Sequence, residues 1–101
     1  MSLPVYSSTA DNRTPNLVGL QHPALAALPT QLVCPLREKI AVTPLREVVF
    51  WNRKKYIAAC DLIRPINRKA LKKLGELDEE TSDRILRTFA RLLAVPGEPD
   101  F

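Results

Sequence analysis

Apolar residues fall first in short alternating or continuous runs separated by polar and proline-containing breaks, and past residue 78 in one stripe of helical period. Val5 to Ser8 is a short β-prone start, and Ser7 to Asn16 is a polar loop rich in Ser, Thr, Asn and Asp. Leu17 to Gln21 begins a strand. Pro23 at a first helical position opens one or two turns through Ala24 to Leu28, which Pro29 stops. Gln31 to Leu36 is a buried strand closed by Pro35 at its edge. Arg46 to Trp51 and Lys54 to Cys60, β-branched and aromatic runs on either side of Asn52-Arg53, predict a hairpin.

After Asp61 to Arg64 the pattern changes at Pro65. Asn67 is a good cap for RKALKKL and Gly75 a matching stop, which predicts a short basic helix. Asp78 caps a longer one, with Glu79 and Glu80 where the helix dipole favours negative charge. Its apolar face is Ile85, Leu86, Phe89, Leu92 and Leu93, and that face must pack on something. Arg84, Arg87 and Arg91 fall on another face, where an arginine stripe is by default solvated. Residues 1–95 are expected as one domain and 96–101, PGEPDF, as a flexible tail. Strands followed by helices indicate an α+β domain, a small antiparallel sheet curling around the terminal helix.

Composition narrows the function without choosing it. A 101-residue chain buries a modest core, so a partner subunit is expected, and the net charge of +4 suits an acidic partner. Cys34 and Cys60 lie in apolar runs, as reduced core cysteines do, and His22 is the sole histidine, so no metal and no cofactor are expected. No signal-type segment and no apolar window long enough to span a bilayer occur, which predicts a cytoplasmic protein off the membrane.

One histidine cannot furnish a nucleophile-base pair with recognisable flanks, and His22 before a proline reads as a surface turn residue. What remains is clustered cations: Arg37 with Lys39, Arg53 with Lys54 and Lys55, and Arg64 through Lys73. Such groups hold phosphates or merely keep a surface soluble. Trp51 and Tyr56 near the hairpin tip offer a stacking surface, although aromatics in a small sheet are more often core.

The segment NLVGLQHPALAALPTQLVCPL, Asn16 to Leu36, resembles the opening of the CcdB toxins in order, spacing and residue type, and Val5-Tyr6 resembles the Val-Tyr of their first strand. The second half, DLIRPINRKALKKLGELDEETSDRILRTFARLL, is similar to the MazF and PemK pattern. The resemblance implies a small antiparallel SH3-like β-barrel, a homodimer, and the toxin half of a type II toxin-antitoxin pair. It also implies an antitoxin whose acidic, disordered segment folds on the toxin, with Arg84, Arg87 and Arg91 as candidate anchors.

Two targets follow from it. CcdB relatives poison DNA gyrase through the end of the terminal helix, here Ala94, Val95 and Phe101. MazF relatives cleave single-stranded RNA without a metal, and Arg13 stands where the MazF family keeps an arginine for the transition state, with Arg37 as a second charge. The chain departs from both: Val95 runs into Pro96 where CcdB toxins have an aromatic-glycine-aliphatic ending, and Pro35-Leu36 is followed by Arg37 where MazF enzymes have Thr or Ser. The first half matches CcdB more closely, so the expectation leans to a non-enzymatic gyrase poison, with RNA cleavage as the alternative. A degenerate homologue that only binds its antitoxin is the third reading.

Overall fold

The computed structural model describes residues 1–8, 13–25 and 27–94, with the side chains of residues 23, 93 and 94 outside that description. Val95, Phe101 and the expected tail lie beyond it. The strands are β1 (Pro4–Ser7), β2 (Leu17–Gly19), β3 (Thr30–Arg37), β4 (Arg46–Trp51), β5 (Lys54–Ala59), β6 (Arg64–Asn67) and β7 (Lys72–Glu76), followed by the helix α1 (Glu79–Ala94). The sheet runs β4-β5-β3-β2-β1-β7, with β6 also paired to β3. Every pairing is antiparallel.

β3 is the hub. Its first half pairs with β6 and its last residues with β5, while β2 runs along the other side. Pro35 therefore lies inside the strand and not at its end. The N–H of Leu36 points to β2, donating to the Asn16 carbonyl at 2.8 Å, so the nitrogen of residue 35 points the other way. There β6 ends opposite Val33 and β5 begins opposite Leu36, so the missing proline donor falls in the gap between partners.

The β4-β5 hairpin turns at Asn52 and Arg53, both at positive φ (50° and 66°), as a two-residue loop matched to strand twist requires. Tyr56 and Ala58 enter the main core, and Ile57 and Ala59 are buried on the opposite face. Extending the β3-β5 register sets Cys34 opposite Cys60. Both are free, buried thiols, and contact with Cys60 together with burial pushes the Cys34 thiol up.

The expected basic helix is corrected. Asn67 does cap, accepting the Lys69 N–H at 2.9 Å, but only a 3-10 turn over Arg68–Ala70 follows. The chain then extends as β7 along β1. A helix over RKALKKL would present only Leu71 and Leu74 to a core, whereas β1 has an edge of backbone donors and acceptors to satisfy. Gly75 is therefore no helix stop. A Cβ there would meet the Trp51 ring at 2.6 Å, so glycine lets β7 pass beneath the indole.

α1 starts where the sequence predicts. The Asp78 carboxylate accepts the Thr81 N–H at 2.6 Å. Ile85 is fully buried, with Leu86, Phe89 and Leu92 packed around it against Leu3, Val5, Val18, Cys34 and Val49. Leu3 is held from both sides: its N–H donates to Ser82 Oγ at 2.9 Å and its carbonyl accepts the Leu77 N–H at 2.9 Å.

Gly75→Ala should destabilise the chain by about 1–3 kcal/mol through overpacking under Trp51. Urea unfolding checks this, and an unchanged midpoint would show that the indole yields to a methyl group without cost. A second expectation concerns acid. Arg46 grips Asp61 through two hydrogen bonds (3.0 and 3.2 Å) and holds its carboxyl below the usual range, and the Thr81 N–H does the same for Asp78. A depressed folded pKa gives stability that is present above the unfolded value of about 3.9 and is lost as pH falls through the folded one. The melting temperature should therefore drop below about pH 4, and Asp61→Asn should shrink that drop modestly because the pair lies at the surface, where solvent screens it. An acid limb identical in the variant would remove Asp61 from the account.

Candidate functional site

The chain between β1 and β2 returns across the end of β3. Asn16 fastens this return: its Oδ1 accepts the Ser8 N–H at 2.9 Å, and its N–H donates to the Tyr6 carbonyl at 3.0 Å. Pro15 is buried beneath it, which leaves Arg13 and Thr14 exposed above. On the other bank β3 ends in Arg37, which is exposed like the following Glu38 and Lys39.

Two clefts meet at this return. One is bordered by Arg37, Glu38, Lys39 and Leu36, the other by Arg13, Trp51, Asn52 and Lys54, and both share Thr14, Pro15 and Tyr56. Arg13 and Arg37, distant in sequence, thus border one continuous basin. Tyr56 floors it while remaining a core residue only 5% exposed. The Lys54 ammonium sits 5.8 Å from the Tyr56 ring centroid and 3.0 Å from Glu38, which raises the lysine's pKa. The basin therefore holds two guanidinium groups, two lysines and one carboxylate, an arrangement suited to an anionic ligand.

The sequence singled out Arg13, Arg37, Trp51 and Tyr56 but not Thr14 or Glu38. The hydroxyl sought after Pro35-Leu36 is indeed absent there, yet a threonine borders the basin from the facing segment. Only the fold brings that segment alongside, so no spacing rule reveals it. Among the described residues, no three His, Cys, Asp or Glu side chains gather as a metal site, and no helix is long and apolar enough to cross a membrane.

The arginine stripe of α1 has largely internal employment. Arg84 donates to the Val48 carbonyl at 3.3 Å and lies 3.6 Å from both Glu47 and Glu80. Arg91 donates to the Pro44 carbonyl at 3.0 Å, and the buried Thr88 between them donates its hydroxyl to Glu47 at 2.8 Å. Arg87 faces solvent. Of the positions named for gyrase contact, Ala94 ends α1 with its side chain outside the description, and Val95 and Phe101 lie outside it altogether.

No family model matches the chain, and no curated protein matches its sequence. Solved structures do match its fold. A MazE-MazF structure from Deinococcus radiodurans superposes with a TM-score of 0.73 at 14% identity, covering 91% of this chain and 92% of that one. An endoribonuclease in complex with its cognate antitoxin from mycobacterial species gives 0.73 at 14% identity, with 93% of each chain covered. MazF of D. radiodurans gives 0.70 at 12% identity, covering 92% and 93%. The antiparallel, curled half-barrel with one C-terminal helix is therefore a MazF-like fold, and nothing in these likenesses favours CcdB over MazF.

Proposed function

We propose that this chain is the toxin of a type II toxin-antitoxin pair and that it cleaves single-stranded RNA without a metal. The observation that carries the reading is the convergence of Arg13 and Arg37 on one basin floored by Tyr56, in a fold shared with MazF structures. Expected first from the sequence, gyrase gives way to RNA as the target because the similar solved structures include an endoribonuclease.

The chemistry is internal transfer. The ribose 2′-oxygen attacks the adjacent phosphorus, the P–O2′ bond forms and the P–O5′ bond breaks, leaving a 2′,3′-cyclic phosphate. Negative charge grows on the non-bridging oxygens during this step, and Arg13 and Arg37 are the groups placed to meet it. Glu38 is the carboxylate of the basin and the candidate acceptor for the 2′-hydroxyl proton, and water supplies a proton to the departing 5′-oxygen.

A mixed-sequence single-stranded RNA should be cut in the presence of a chelator, giving cyclic-phosphate ends. Arg13→Ala and Arg37→Ala should each slow cutting by about two to three orders of magnitude, the range for loss of one oxyanion donor. Intact RNA with the wild-type chain, together with trapped cleaved DNA in a gyrase supercoiling assay, would return the protein to the gyrase branch.

The partner reading is a homodimer neutralised by an acidic, disordered antitoxin segment, supported by the net charge of +4 and by antitoxin complexes among the similar structures. Arg87 is the helix cation best placed for it, since Arg84 and Arg91 brace α1 against β4 and its preceding loop. Light scattering should read a dimer, and an acidic peptide encoded by a neighbouring gene should bind it, with affinity falling as salt rises. Arg87→Gln should weaken that binding and leave unfolding unchanged. Equal affinity in the variant would move the antitoxin to another face.

A further inference from the structure

A second cleft lies on the sheet at the other end of β3. It has a volume of about 170 Å³, and its walls include Tyr6, Gln21, His22, Gln31, Arg68 and Lys73. Gln31 and Arg37 have the same parity on β3 and so share one face of the strand, six residues or about 20 Å apart. The two clefts are therefore separate sites on one side of β3.

Gln31 is the distinguishing group. It is 2% exposed, and since no buried side-chain nitrogen or oxygen among the described residues lacks a partner, the little of it that is exposed is the carboxamide, which opens into the cleft. Such an amide meets its hydrogen-bond needs through whatever fills the cleft. This one borders the cleft and offers it both an N–H donor and an oxygen acceptor. Gly19 makes its seat: a Cβ there would lie 2.5 Å from Gln31 Nε2 and 2.8 Å from the Tyr6 ring. Glycine is thus required where the amide and the aromatic wall close over β2.

The other walls are aimed as well. Gln21 uses its oxygen on the Leu32 N–H, which leaves its amide nitrogen as a donor. His22 accepts the Ala24 N–H on Nδ1 at 3.0 Å and borders the cleft. Arg68 is pinned by the carbonyls of Leu28 (2.6 Å) and Leu25 (3.0 Å), leaving Nη1 for a ligand. Lys73 pairs with Glu76, in a pair about half exposed that a phosphate can displace.

We propose that this cleft is a nucleotide-binding pocket. The base lies against Tyr6 with its edge read by Gln31 and Gln21, and the phosphate sits at the rim by Arg68 and Lys73. An inorganic anion has no use for the Gln31 acceptor and meets Glu76, and an aliphatic ligand leaves the carboxamide unpaired. A heterocycle with donors and acceptors on its edge, a π face and an attached phosphate uses every wall. The nucleotide comes either free or as one residue of an RNA strand, and only the strand assignment rests on the proposed RNA cleavage.

The test is a titration of the isotope-labelled full chain, read at the Gln31 side-chain amide by NMR. One arm uses each common ribonucleoside 5′-monophosphate at millimolar concentration, the other a short single-stranded RNA with 2′-O-methyl groups to block cleavage. Wild-type chain should shift the Gln31 amide signals in at least one arm. Gln31→Met keeps the volume and removes the hydrogen bonds, and Gly19→Ala crowds the seat, so each should weaken binding about tenfold or more.

Shifts with both probes make the pocket a general nucleotide site, and shifts with the RNA alone make it a strand subsite. Mononucleotide binding that Gln31→Met abolishes, in a chain that cuts no RNA, keeps the pocket and defeats only the cleavage reading. RNA cutting with unmoved Gln31 signals, or binding equal in wild type and Gln31→Met, overturns the pocket and leaves the cleavage reading standing. Should Gly19→Ala unfold, Gln31→Met carries the decision alone.

Discussion

The arrangement depends on one strand satisfying three others. β3 offers eight residues of backbone, one side of which serves β2 while the other is divided between β6 and β5. A strand whose side is divided in this way has one position where a donor finds no acceptor, and Pro35, which has no N–H, occupies it. The curl of the sheet, the covering helix and the positions of both clefts follow from that change of partner, because Gln31 and Arg37 stand on opposite sides of it.

The second constraint is how one helix is held against a curled sheet of this size. Burial of Ile85 supplies the apolar part, and the hydrogen bond from the Leu3 N–H to Ser82 fixes the rotation of α1 at its start. Arg84, Thr88 and Arg91 brace the far side against β4 and the loop before it, with Glu47 as the shared acceptor for Arg84 and Thr88. Arginines spent this way are no longer a simple binding stripe. Their removal would perturb the helix itself, whereas Arg87 faces solvent.

Cations border both clefts. Arg13, on the β1-β2 connection, and Arg37, at the end of β3, are exposed on the rim of the basin. Arg68 is bound down by two carbonyls in the cleft into which the Gln31 carboxamide opens, an arrangement that is fixed in place beforehand.

Much of this was legible in the chain itself. The hairpin about Asn52-Arg53, the Asp78 cap and the apolar stripe through Ile85 and Phe89 are local signals, set by turn geometry, capping and period, so they fix their elements before any packing is known. Arg13 and Arg37 were singled out by resemblance, and the structure sets both at the basin. Four things were decided only by tertiary structure: β7 in place of a basic helix, Pro35 inside a strand, Thr14 beside Arg37, and the Gln31 carboxamide at its cleft. Each depends on a neighbour distant in sequence. β1 had an edge to fill, β3 changed partner, and the β1-β2 return lay across the end of β3. Local propensity is blind to such pairings, because a backbone donor, a ring or an amide acquires its partner only when the sheet closes.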